Sequence, residues 1–214
     1  NLNFNDRQRR TFIKNTSVGV AGLLCQPSFP LREDPLLGQN NKRYRIDTHG
    51  SKADVGRYPV NDCHEMVQDN KGRILLLTNE IKNNVLVYDK SGKLLTTWGN
   101  EYPGAHGLTL FNENGAEVLF ICDNNRHQVI KTTIDGRVLM VLDYPKETGQ
   151  YSKAEEYIPT ETAIMPNGDI YVADGYGKDF IIHYDSSGRY INYFGGRGNE
   201  DKHLLNAHGI CIDH

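Results

Sequence analysis

Imidazoles recur along this chain at places that suggest a shared site. His64, His106 and His208 each open a segment of similar pattern, and two of them head the near-identical triplets His106-Gly107-Leu108 and His208-Gly209-Ile210. Neutral imidazole is a strong zinc ligand, and three of them with one open position make a Lewis-acid centre. The same residues also suit a second reading, in which histidines are hydrogen-bonded in a water-filled channel. Glu161 leads the segment between them and is a candidate channel acid. Tyr176, in Asp174-Gly175-Tyr176, could move a proton during bond cleavage; its alternative is a hydrogen-bonded channel tyrosine. His127 and His183 fall late in their segments and read as surface or packing residues, and Asp123 and Asp174 read as turn caps.

Such residues can meet only if the elements carrying them repeat in space. Segments led by positions 64, 106, 161 and 208 lie 42, 55 and 47 residues apart. Each of the first three offers four short apolar runs. Turn chemistry separates these runs: Asn70-Lys71-Gly72, Ser91-Gly92, Asp135-Gly136, Asn167-Gly168 and Ser187-Gly188. Four strands in ~40–50 residues make a propeller blade, so the fold class is all-β, a β-propeller of four-stranded blades. About three and a half blades are expected here, and closure takes ~4–8. The chain therefore reads as a piece of a longer protein, with further blades after His214. Residues 26–57 are expected to be a linker entering a first strand near Tyr44 to Ile46, and residues 143–158 a polar insertion on one face. In each inner strand the histidine and the aliphatic residue two positions on share parity, which predicts that the side chains of Leu108 and Ile210 also face the channel.

Composition narrows the classes of function. The chain has 214 residues and a net charge of −3, without the basic excess of a nucleic-acid binder. Hydrophobic residues make up 38% and charged residues 24%, which excludes a disordered chain. No apolar run reaches the ~18 residues of a transmembrane helix. At the start, Arg9-Arg10-Thr11-Phe12-Ile13-Lys14 precedes a short, mildly apolar stretch, the pattern of a twin-arginine export signal. It predicts a periplasmic or secreted protein exported already folded. Of four cysteines, Cys25 lies by the signal; Cys63, Cys122 and Cys211 are expected to stay unpaired.

The segments resemble NHL repeats, and from Asp62 to Asp213 they resemble the six-bladed propeller of peptidyl-α-hydroxyglycine α-amidating lyases. The resemblance is carried by His106-Gly107-Leu108-Thr109-Leu110, Cys122-Asp123-Asn124-Asn125-Arg126-His127, and Ile170 to Tyr176 running on to His208-Gly209-Ile210. It implies a zinc held by His106, His208 and a third histidine beyond His214. It also implies a calcium bound partly by the carbonyls of Leu108 and Met66, with Tyr176 as the catalytic tyrosine. The implied substrate is a small molecule or peptide entering the channel, and the implied reaction is C–N cleavage of an α-hydroxyglycine amide. His64 matches no ligand of the lyases and is a further candidate ligand or channel residue. Two departures stand out. Asn79 occupies the place of the family's catalytic arginine, with Arg73 nearby only at a turn, and Gly177 replaces a disulfide cysteine. A non-catalytic propeller that binds a peptide, glycan or protein is therefore the second functional class.

Overall fold

The computed structural model describes residues 36–213. They fall into two units, divided after Ile46. In the first, β1 (Leu36–Leu37) pairs antiparallel with β2 (Tyr44–Arg45).

The second unit holds three four-stranded antiparallel meanders. The first blade is β3 (Glu65–Gln68), β4 (Ile74–Leu77), β5 (Val85–Tyr88) and β6 (Leu94–Trp98). The second is β7 (Ala105–Glu113), β8 (Ala116–Asp123), β9 (Gln128–Thr133) and β10 (Val138–Leu142). The third is β11 (Glu161–Ile164), β12 (Ile170–Ala173), β13 (Phe180–Tyr184) and β14 (Tyr190–Gly195). These are propeller blades, and β7 packs against both β3 and β11, so the first strand of each blade is its inner strand.

Local chemistry makes the turns. Asp69, Asp89 and Asp185 each accept backbone N–H groups from the residues two and four positions on, closing a tight turn. Within these turns Gly72, Gly92 and Gly188 have φ of 76°, 82° and 82°, which favours residues without a Cβ. The last strand of every blade pairs with a register shift, a device that twists an outer edge.

Packing between blades explains the continuous apolar run in β8. Successive side chains alternate across a strand. Val118, Phe120 and Cys122 pack with Ile164, Ile170, Val172 and Ile182 of the third blade. Leu119 and Ile121 pack with Leu75, Leu77, Val85 and Val87 of the first. A strand buried on both faces needs apolar residues at every position, and each such side chain contributes ~1.5–3 kcal/mol on burial.

Residues 143–158 are not a solvated loop. They carry two short 3-10 turns, Lys146–Thr148 and Ala154–Glu156, and bury Tyr151 and Tyr157 in the core between the second and third blades. The expected fourth blade has no strand at its start: residues 208–213 enter no ladder with any described residue. Cys63, Cys122 and Cys211 are free. The twin-arginine motif lies outside the described residues. Among those described, no helix is long and apolar enough to cross a membrane.

Candidate functional site

His106 owes its position to a bulge. Ala105 pairs with Asp123 and Leu108 with Ile121, so three steps along β7 match two along β8. The bulge breaks the parity that would have turned Leu108 to the same side as His106. Instead the Leu108 side chain is buried between the first two blades, beside Leu119 and Ile121. Gly107 is required here, because a Cβ would lie 2.4 Å from the Thr160 carbonyl oxygen. No such constraint holds at Gly209, whose Cβ would meet nothing within 4 Å.

His106 is 7% exposed. Its Nδ1 lies 2.9 Å from the carbonyl oxygen of Thr160. A carbonyl can only accept, so Nδ1 carries the proton and Nε2 presents a lone pair. That Nε2 is buried and has no hydrogen-bond partner. Burial, with smaller contributions from His64 and His208, lowers the pKa of His106 and keeps it neutral, while the Thr160 bond opposes the shift.

Three other candidates surround this ring. His64 stacks on it at 4.2 Å between centroids and 25° between planes. His208 lies 5.3 Å away, tilted by 60°. Tyr176 stands edge-on at 5.2 Å, and is 4.4 Å from His208. Tyr176, in the turn after β12, is 41% exposed, so it is open to an incoming molecule.

The donor set fits a metal in part. Two imidazoles on one tetrahedral zinc, with Zn–N bonds of ~2.0 Å, have centroids about 5 Å apart, close to the separation of His106 and His208. His64, stacked on His106 at 4.2 Å, lies closer to that ring than this separation. Among the described residues no three His, Cys, Asp or Glu side chains form a metal centre.

Strand register also revises the equivalence of the blades. Leu77 faces Glu65 in the first blade and Ala173 faces Glu161 in the third. Glu161 therefore corresponds to Glu65, and the residue matching His64 is Thr160. Leading the third segment at Glu161 therefore puts it one residue out of step with the first, because residue type and strand pairing disagree there.

Glu161 does face the inner side. Its carboxylate accepts from the Thr109 hydroxyl and the Thr162 amide, both at 2.9 Å. Burial, reinforced by Glu65, outweighs those bonds and pushes its pKa up to about 7. Glu65, Glu161, Thr109 and His208 line one open cleft of about 600 Å³. Asn79 bonds to Asn61 and Asp62, and Arg73 is held by Asp69 in its turn.

The remaining candidates lie in supporting places. Asp123 accepts from the amides of Gly104, Asn125 and Arg126, and Asp174 from Lys178, Ile158 and the Tyr151 hydroxyl. A ring nitrogen of His127 pairs with the Tyr157 carbonyl; His183 stacks on Tyr171 and pairs with Asp169. Sequence reasoning missed Thr160 and Thr109. Thr160 carries no motif and Thr109 only follows the His106-Gly107-Leu108 triplet, so the approach of β7 to β11 is what reveals their roles.

No family model matches the chain. It is 33% identical over 109 residues to peptidyl-α-hydroxyglycine α-amidating lyase 1 of Drosophila melanogaster, covering 49% of this chain and 19% of that protein. It is 28% identical over 169 residues to a probable peptidyl-α-hydroxyglycine α-amidating lyase of Caenorhabditis elegans, covering 77% of this chain and 45% of that one. The chain thus spans less than half the length of either curated relative. Among solved structures, a streptogramin B lyase superposes with a TM-score of 0.48 at 14% identity, over 66% of this chain and 43% of that one. Virginiamycin B lyase from Staphylococcus aureus, in a catalytically inactive form with quinupristin, gives 0.46 at 14% identity, over 72% and 44%. In sequence, then, this β-propeller chain is weakly similar to the peptidyl-α-hydroxyglycine α-amidating lyases.

Proposed function

We propose that the complete protein is an exported NHL-type propeller lyase that cleaves the C–N bond of an α-hydroxyglycine amide in a metal-containing central channel. The observation that carries this reading is the meeting of His106, His208 and Tyr176 around a buried, unpartnered imidazole Nε2. His106 and His208 would hold a zinc ion, with a third ligand from outside the described residues. His64 would line the channel beside them. A calcium ion, if present, would draw on the carbonyls of Leu108 and Met66.

Bound zinc supplies Lewis acidity to a substrate oxygen. Tyr176 then has a defined task at its phenol oxygen. As the substrate's C–N bond breaks, its hydroxyl oxygen becomes a carbonyl oxygen and the amide nitrogen gains a proton. Tyr176 takes the hydroxyl proton and returns one to the leaving nitrogen, so an aldehyde and a primary amide leave and no proton is left over. Neutral His106 keeps its lone pair free because Thr160 holds the other nitrogen.

Asn79 supports a second reading. It stands where the resemblance places an arginine, and its amide is bonded to Asn61 and Asp62. A propeller without that cation would bind its ligand and not turn it over.

Metal content and turnover of the complete protein test both readings. Wild type should carry zinc, and His106→Ala and His208→Ala should lose it. Tyr176→Phe should keep the metal and lose ~10²–10⁴-fold in aldehyde release from an N-acyl-α-hydroxyglycine. Zinc without turnover favours the binding reading, and a metal-free wild type rejects the lyase. For export, Lys at positions 9 and 10 should leave the protein in the cytoplasm; unchanged export would reject the twin-arginine route.

A further inference from the structure

We infer that Thr160 is a positioning residue that sets His106 and His208 against each other, using its carbonyl for one and its hydroxyl for the other. The inference rests on the metal-site reading above for its purpose, but not for its geometry. Thr160 is fully buried, immediately before β11. Its carbonyl oxygen accepts a hydrogen bond from the Nδ1–H of His106 at 2.9 Å. Its hydroxyl lies 2.6 Å from the carbonyl oxygen of Ala207, the residue before His208.

The hydroxyl has one proton and two acceptors within reach, Ala207 and Ala173 at 3.1 Å. The Ala173 oxygen already receives the Thr160 amide at 2.8 Å. The shorter bond to Ala207 is therefore the one that the hydroxyl proton serves. One residue of the third blade thus reaches backward to the second blade's imidazole and forward to the segment bearing His208.

The neighbours reinforce that link. The Ala207 amide points to the buried Asp179 carboxylate at 3.3 Å, and Arg197 holds the other oxygen of that carboxylate at 2.8 Å. A Cβ on Gly175 would lie 1.9 Å from the Ala207 oxygen, so the turn carrying Tyr176 lies directly against the same carbonyl. Residues 208–213 have no strand partner among the described residues, so these bonds at Ala207 fix where His208 begins.

Removing the hydroxyl while keeping the shape isolates the effect. Partners that orient a metal-binding imidazole are worth ~10–100-fold in metal affinity. In the complete protein, Thr160→Val should weaken zinc binding about tenfold and broaden the visible absorption of added cobalt(II), and Thr160→Ser should restore both. Equal affinity in Thr160→Val, or equal loss in the valine and serine variants, would overturn the inference. A readout on the metal-free protein stands apart from the lyase reading. NMR should show His106 protonated at Nδ1, with a ring-to-ring contact to His208 that Thr160→Val loses and Thr160→Ser keeps. A proton on Nε2 in wild type, or an unchanged contact in Thr160→Val, rejects the role of Thr160. The wild-type tautomer needs no variant to fold. Wild type that binds no zinc but passes the NMR tests rejects the metal site and leaves Thr160 as the residue that pairs the two rings.

Discussion

His106-Gly107-Leu108 and His208-Gly209-Ile210 share a pattern but not an environment. The first lies in a nine-residue strand, is bulged, and is buried throughout. The second enters no ladder with a described residue, and its histidine and glycine are exposed. In the first, glycine is forced by a neighbouring backbone; in the second a Cβ would meet open space. The motif records which residues can meet at an axis, and burial, glycine necessity and ring orientation come from the strands alongside.

The largest test of this contrast is in the aliphatic residues. Leu108→Ala should cost about 2–5 kcal/mol in a denaturant titration of this chain, because Leu108 is 2% exposed and its neighbours are rigid strands. Ile210→Ala should cost well under half as much, and equal losses would show the second segment to be as tightly packed in solution as the first. Glycine gives the next effect. Gly107→Ala should destabilise by about 1–3 kcal/mol as the Thr160 backbone is pushed away, whereas Gly209→Ala should be neutral within about 0.5 kcal/mol.

A pH series on the metal-free chain reaches the cleft between the two motifs. The folded pKa of Glu161 is about 7, above the ~4.3 of an unfolded carboxyl. From pH 4 to 7 the unfolded state loses this proton first, so stability falls with rising pH and levels off above 7. Glu161→Gln keeps the oxygen that Thr109 and Thr162 use and should remove the fall, gaining about 3 kcal/mol on wild type at pH 8 relative to pH 4. Parallel curves for the two proteins would show that Glu161 is not the group responsible. The smallest effect should be at His64. It is exposed, so His64→Ala should change stability by less than about 0.5 kcal/mol. A larger loss would make its stack on His106 structural.

Much of the architecture was legible because it is written locally. The apolar runs and Gly turns place four strands per blade, and Asp69, Asp89 and Asp185 close their turns through residues at most four positions away. The candidate site was legible as a set of residues: His64, His106, Tyr176 and His208 do come together. Its orientation was not. Leu108 followed parity on paper and the bulge in space, and the polar look of residues 143–158 concealed Tyr151 and Tyr157, which face inward.

By itself the sequence determined the all-β repeat and the residues that could converge, since both follow from short-range periodicity and turn chemistry. Tertiary structure alone decided that Thr160 matches His64, that Leu108 turns into the core, and that a carbonyl 54 residues away leaves His106 Nε2 free. Those outcomes depend on how one strand registers against another. A shift of one residue in that register turns a side chain to the other face of its sheet without changing a letter of the sequence.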